Sequence, residues 1–213
     1  ILREAIEEIE SWPDGRLRRR GYVLARDEWH EGVIGIVASR LVERYHRPVV
    51  LIAGGEREWK GSGRSTGAFD LHGALAACSR HLVRFGGHRA AAGLSIEPDR
   101  LEAFTTAFAD EADAHLTDEE LVPATVVDAL VHGSALTLEL CAELARLAPF
   151  GLGNPAVTLL VAGCELAQVS AVGDGKHLRF RVKDGVRDAG SAIAFGFGRQ
   201  LDRLRQDVSY DVA

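Results

Sequence analysis

Apolar positions recur at helical spacing at the start of the chain. Leu2, Ile6 and Ile9 form one stripe, Ile1 and Ala5 widen it, and glutamates fill the other face. Pro13-Asp14-Gly15 stops that helix. Residues 22–25 read as a strand. Residues 32–45 read as a helix with Ile34, Val37, Leu41 and Val42 on one face. The unbroken apolar run at 48–53 fits a buried strand. Residues 59–64 predict a strand that ends in a Ser/Arg loop. Asp70 is placed to cap a helix over 71–83, Gly86-Gly87 ends that region, and 94–96 resume as a strand. Pro98 suits the first turn of a helix that reaches about His115. Strands alternating with helices predict an α/β domain with a mixed sheet.

Asp118-Glu119-Glu120, with Pro123 close behind, marks a boundary. One helix over 137–147 follows, and then the pattern changes to period two. Asp174-Gly175 and Asp184-Gly185 are tight-turn dipeptides. Between them Leu178, Phe180 and Val182 alternate with His177, Arg179, Arg181 and Lys183. That is a half-buried strand with a basic outer face. On its own such a strand is a solvated amphipathic one. In a nucleic-acid-binding barrel its stripe tracks the phosphates of a single strand. Phe180, Phe195, Phe197 and Tyr210 are few for base stacking, and several of them read as core.

The length of 213 residues suits one large or two small domains, and 46% hydrophobic residues suffice for packed cores. No apolar run reaches membrane-spanning length and no signal peptide is visible, so no membrane association is expected. Cys78, Cys141 and Cys164 stand far apart and are odd in number. They read as small core residues in a reducing cytoplasm. The net charge of −6 is unevenly spread. Residues 12–98 carry 14 Lys and Arg against 9 Asp and Glu, whereas residues 99–128 carry one against nine. The local field, not the net charge, decides where a polyanion docks. The Arg16–Arg20 cluster reads as a solvated basic loop, with non-specific contact to DNA phosphates as the alternative.

Two glycine-rich clusters lie in the positive block. Gly61-Ser62-Gly63-Arg64-Ser65 offers hydroxyls, a guanidinium and backbone N–H groups in a nest-like turn, an anion-binding composition. In Gly86-Gly87-His88-Arg89-Ala90-Ala91-Ala92-Gly93 a titratable side chain follows two glycines and precedes residues too small to block access. Each cluster alone reads as a turn or a loose loop; together they favour a phosphate site. Ser62, Gly63, Arg64, Ser65, Gly86, Gly87 and Arg89 are its candidates. The competing reading pairs Arg64 with Glu56, Glu58 or Asp70, makes His88 structural, and turns Arg89 to solvent. Trp29 reads as core, and His30 and Glu31 line a helix start.

These clusters resemble the DHH phosphoesterase superfamily and, within it, the RecJ group of single-strand-specific 5′-to-3′ exonucleases. The matching stretches are residues 29–41, Arg47-Pro48-Val49-Val50, Gly61 to Ser65, Gly86 to Gly93, and Pro149-Phe150-Gly151-Leu152-Gly153-Asn154-Pro155. The resemblance implies a tripartite division. Residues 1–11 end an interdomain linker helix, 12–116 form a DHH-associated substrate-binding domain, and 117–213 form a helix plus a smaller, mostly β, OB-like domain. That barrel is expected to be incomplete. The resemblance further implies 5′-phosphate binding at Ser62, Arg64 and Ser65, a supporting catalytic contact from His88 to the scissile phosphate, and a single-stranded DNA track along His177, Arg179, Arg181 and Lys183. Superfamily members carry an Asp-His-His motif that holds two divalent metals, Mn or Mg. The motif is absent here, and so is methionine. The chain therefore reads as a C-terminal fragment, inactive alone and without a cofactor of its own. Single-strand-binding protein and a repair helicase are the partners implied. Two alternatives stay open: a phosphodiesterase of short oligonucleotides or cyclic dinucleotides, and a stand-alone single-strand-binding module.

Overall fold

The structure is a computed structural model. It describes every residue except 152, 186, 206 and 207, so Leu152 of the 149–155 motif lies outside the described residues. The chain divides into two units, Ile1–Pro123 and Ala124–Ala213.

In the first unit α1 (Leu2–Glu10) and the short α2 (Asp14–Leu17) precede β1 (Tyr22–Arg26), α3 (Glu31–Tyr45), β2 (Val49–Ala53) and β3 (Trp59–Arg64). Then come α4 (Leu71–Ala77), β4 (Arg84–Gly87), β5 (Ala91–Ile96) and α5 (Leu101–His115). The sheet order is β1-β2-β3-β5-β4; β1 and β2 are parallel and the other pairs antiparallel. Both faces are covered, which is why β2 is an unbroken apolar run. Val49 and Leu51 pack with α1 and α3, including Ile9, Ile34 and Leu41. Val50 and Ile52 pack with α4 and α5, including Leu75, Phe104 and Phe108. Thus α1 belongs to the core of this unit: Ala5 and Ile9 are fully buried in it.

Local chemistry fixes the helix ends. The His30 ring accepts from the Gly32 amide through Nδ1 at 3.0 Å and opens α3, and His46 closes it in the left-handed region at φ 54°. Asp70 accepts from the Gly73 amide at 3.0 Å and opens α4. Two expectations need correction here. The helix over 71–83 ends at Ala77, a single 3₁₀ turn over Ser79–His81 follows, and the chain then turns to pair with β5. Gly86-Gly87 is not a helix terminator but the end of β4, one arm of a hairpin with β5. Bare glycine backbone shows no side-chain alternation, so the strand left no period-two signal.

The solvated reading of the Arg16–Arg20 cluster holds for Arg16 and Arg18, which are exposed, and fails for Arg19 and Arg20. Arg19 pairs with Asp110 and Asp113 of α5, each at 2.5 Å. The Arg20 guanidinium donates to the Asp113 and Leu116 carbonyls and to the Asp118 carboxylate. Arg16 lies over the Trp12 ring at 3.8 Å. The acidic block neutralises the basic one within the fold.

The second unit contains β6 (Ala129–Leu130), α6 (Leu138–Ala145), β7 (Leu159–Val172), β8 (His177–Asp184), β9 (Arg187–Ala194) and β10 (Tyr210–Val212). Its sheet order is β10-β7-β8-β9, with β6 added parallel to β7. Among the described residues the sheet is open and does not close into a barrel. Val161, Cys164, Leu178, Phe180 and Val182 form its core. The β7–β8 turn runs through three positive-φ residues, Gly173, Asp174 and Gly175.

Gly87 has φ +142°, and a Cβ there would lie 2.5 Å from the Ala91 carbonyl oxygen and from the Ala92 Cα, whereas a Cβ on Gly86 meets no atom within 4 Å. Gly87→Ala is expected to cost about 1–3 kcal/mol in urea unfolding, and Gly86→Ala less than about 0.5 kcal/mol. Burial pushes the Cys78 thiol up to about 11 and raises that of Cys164, while Cys141 is exposed. One cysteine, Cys141, should react with a thiol reagent in the native protein, and all three after denaturation.

Candidate nucleic-acid interface

Side chains along β3 alternate between the two faces of the sheet. Gly61 and Gly63 turn toward the core. A Cβ on Gly61 would lie 2.6 Å from Leu94 Cδ1, and one on Gly63 would lie 3.0 Å from Leu71 Cδ2. Their absence lets Leu71 and Leu94 pack onto the backbone. Lys60, Ser62 and Arg64 take the opposite face. There α3 passes close overhead, and Gly35 makes room: a Cβ on it would lie 2.9 Å from Arg64 Nη2 and 3.0 Å from Ser62 Oγ.

Arg64 Nη1 donates to Ser62 Oγ at 3.0 Å and to the Gly63 carbonyl at 2.7 Å. Both acceptors are neutral. Among the described residues no carboxylate pairs with Arg64: Glu58 is held by Lys60 at 2.8 Å and Asp70 faces Arg89 at 3.9 Å. The hydrogen bond from Lys60, and then its charge, hold the Glu58 carboxyl below its usual range. Arg64 therefore keeps a planar fork of donors without an anion.

The nest-like turn expected around Gly61 to Arg64 is not formed. The strand is central, β2 and β5 pair with its two edges, and the ladders use its amides. Anion capacity here comes from side chains. Of the five residues in the cluster, Ser62 and Arg64 meet. Gly63 faces the core, and Ser65 is engaged locally, its amide donating to the Ala90 carbonyl at 3.0 Å and its hydroxyl to the Phe69 carbonyl at 3.3 Å.

The β4–β5 turn lies at the end of β3, because Arg64 pairs with Ala91. The His88 amide donates to the Ala91 carbonyl at 2.8 Å, and the Leu71 amide donates to the Arg89 carbonyl at 3.0 Å. These bonds fix the turn and leave the His88 and Arg89 side chains exposed.

Between the start of α3 and the β3-β5-β4 strands lies an open cleft of about 650 Å³. Gly32 of α3, Ser62, Gly86 and Gly93 line it, together with Lys60, Arg84 and Ser95. The last three were not singled out from the sequence. Their meeting depends on strand register: Lys60 Nζ donates to Ser95 Oγ at 3.0 Å across 35 residues, and Arg84 Nε to the same oxygen at 3.1 Å across 11. The alternation of Lys60 with Ser62 and Arg64 was the one signal present in the chain.

In the second unit β8 turns Leu178, Phe180 and Val182 inward, and His177, Arg179, Arg181 and Lys183 to the other side. Arg181 pairs with Asp188 and holds that carboxyl below its usual range. Arg179 has no carboxylate partner among the described residues and lies beside Ile193. Phe180 is core, but Phe195 and Phe197 are 72% and 56% exposed. The Phe195 ring meets His177 edge-on at 5.2 Å. Aromatic surface is thus available beside the basic stripe.

Comparison with known proteins agrees with this layout. Residues 20–114 match the DHHA1 domain and residues 127–213 match the RecJ OB domain. The chain belongs to the RecJ family. It is 35% identical over 184 residues to the single-stranded-DNA-specific exonuclease RecJ of Bacillus subtilis, covering 85% of this chain and 23% of that protein. It is 34% identical over 168 residues to that of Escherichia coli, covering 76% and 29%. The crystal structure of RecJ from Thermus thermophilus in complex with Mg2+ superposes with a TM-score of 0.72 at 34% identity, covering 91% of this chain and 29% of that one. The chain thus spans about a quarter of the length of its curated relatives. The same Thermus protein is also known with Mn2+. Here the donor set does not fit a metal: among the described residues no group of three or more His, Cys, Asp and Glu could hold one. No helix of the described residues is long and apolar enough to cross a membrane.

Gly35→Ala tests the close approach of α3. Alanine favours the helix by up to about 1 kcal/mol, yet its methyl displaces the Arg64 guanidinium. Urea unfolding is expected to show equal or greater stability, and the Arg64 Nε–Hε NMR signal should shift.

Proposed function

We propose that this chain is the substrate-binding part of a single-strand-specific 5′-to-3′ exonuclease, and that Ser62 and Arg64 hold the 5′-terminal phosphate of single-stranded DNA. The supporting observation is the Arg64 fork, which has no carboxylate partner among the described residues and is braced beneath Gly35 by Ser62, itself a lining residue of the open cleft. A terminal phosphate presents more free oxygens than an internal diester and carries more charge. A fork plus a hydroxyl therefore distinguishes an end from the middle of a strand. The relatives named above are single-stranded-DNA-specific exonucleases, which supports the choice of substrate.

On this reading His88, at the exposed tip of the β4–β5 turn, donates a hydrogen bond to the scissile phosphate as charge develops. Gly86 and Gly87 keep the approach to it open, and Arg89 adds positive charge alongside. Hydrolysis itself is assigned to metal-holding residues outside those described here, so the chain alone binds without cutting. In the second unit His177, Arg179, Arg181 and Lys183 provide an electrostatic track. Phe195 adds a stacking face, the combination by which single strands are held without sequence preference.

Fluorescence anisotropy with a short oligothymidylate, bearing either a 5′-phosphate or a 5′-hydroxyl, checks this. Wild type should prefer the phosphate, and Arg64→Gln should weaken that complex about ten-fold while leaving the hydroxyl form unchanged. Equal affinity of wild type for both ends would refute end recognition. In a nuclease that contains this region, His88→Ala should lower kcat on the order of 100-fold with little change in KM.

A further inference from the structure

The cleft has a second cationic end. Strand register sorts its floor into three rows on one face of the sheet. Arg64 pairs with Ala91 in the first row. Gly93 pairs with Ser62 and with Gly86 in the second, and Ser95 pairs with Lys60 and with Arg84 in the third. The Arg64 guanidinium bonds back to Ser62 of the second row, so two residues of β3 separate this pair from the third row, a span of roughly 7 Å at about 3.3 Å per residue.

The third row is built around one hydroxyl. Lys60 Nζ and Arg84 Nε both donate to Ser95 Oγ, at 3.0 and 3.1 Å, and Ser95 is 2% exposed. Two cations that share a neutral acceptor repel each other, and the repulsion is relieved by an anion between them. Glu58 pairs with Lys60 and feels the Arg84 charge more weakly. Arg84 has no carboxylate partner among the described residues, so the trio of Glu58, Lys60 and Arg84 keeps a single positive charge. That matches the single negative charge of a phosphodiester. Glu31 lines the same cleft and opposes a more highly charged group.

Beyond Ser62 the middle row is bare. A Cβ on Gly86 would meet nothing within 4 Å, and one on Gly93 only the Gly61 carbonyl oxygen at 3.7 Å. Neither glycine has a positive φ, so neither backbone angle nor packing excludes a side chain there. Open backbone between two cationic rows is what a nucleotide lying across the strands requires.

We propose that Lys60, Ser95 and Arg84 form a second phosphate subsite, which takes an internal diester of the strand whose 5′-phosphate sits at Ser62 and Arg64. The inference rests on that reading of Ser62 and Arg64. It makes the cleft a two-point gauge that sets how the strand is threaded after its end is captured.

The test uses the whole 213-residue chain and three probes: 5′-thymidine monophosphate, a 5′-phosphorylated oligothymidylate, and the same oligomer with neutral methylphosphonates at its internal linkages. Arg84→Gln keeps length and polarity, and the exposed position leaves folding intact. It should weaken the normal oligomer about ten-fold and lower its salt slope by about 0.7, one phosphate contact on a single strand. It should change affinity for neither the mononucleotide nor the methylphosphonate oligomer. An equal loss with all three probes, or no loss with any, overturns the inference. A 5′-phosphate preference that Arg64→Gln abolishes, alongside an inert Arg84→Gln, overturns the second subsite and leaves end recognition standing. An Arg84 effect confined to the normal oligomer, without any 5′ preference, overturns end recognition and leaves the internal site standing.

Discussion

Leu71 and Leu94 pack directly onto the bare backbone of Gly61 and Gly63, and this contact sets the level of β3 in the first unit. Burial of each leucine contributes about 2 kcal/mol, and neither could approach so closely over a side chain. Because strand side chains alternate, glycine on the core face puts Lys60, Ser62 and Arg64 on the other. The same economy of space recurs above them, where Gly35 lets α3 pass over the Ser62–Arg64 pair. The site is thus a by-product of tight packing on both sides of one strand, and its geometry is as rigid as the core beneath it.

Charge is distributed by the same fold. A chain of net charge −6 is an unpromising partner for a polyanion until its acids are located. Asp110 and Asp113 of α5 are turned onto Arg19, Asp118 onto Arg20, and Glu8 and Glu10 onto Arg26 and Arg44. Exposed pairs of this kind add little stability, but they remove both partners from the long-range field. Among the described residues Arg64 and Arg84 have no carboxylate partner, and Arg84 lines the open cleft between α3 and the hairpin strands together with Ser62, which braces Arg64.

The second unit arrives at a related surface by other means. Its open sheet buries Leu178, Phe180 and Val182 on one side and carries the cations of β8 on the other. Arg181 is spent on Asp188, so the stripe is less charged than its composition. What composition understated was the aromatic contribution. Phe195 and Phe197 lie beyond the end of β9 and are exposed among the described residues, and Phe195 meets His177.

The sequence by itself determined α1, α3, β3 and β8 through their side-chain period, β1 and β2 as short apolar runs, and the cap at Asp70, whereas Pro98 opens a 3₁₀ turn and α5 starts only at Leu101. It also marked Ser62 and Arg64, through residue types suited to phosphate. It could not show that Gly86-Gly87 is a strand, because glycine leaves no alternation to read. Nor could it show that the Gly61–Arg64 amides are consumed by ladders on both edges, which moved the anion site from backbone to side chains. The trio of Lys60, Arg84 and Ser95, the neutralisation of Arg19 and Arg20, and the exposure of Phe195 were decided only by tertiary structure. Each depends on which strand or helix lies alongside, and register between segments tens of residues apart is set by packing of the whole unit rather than by any local run of residues.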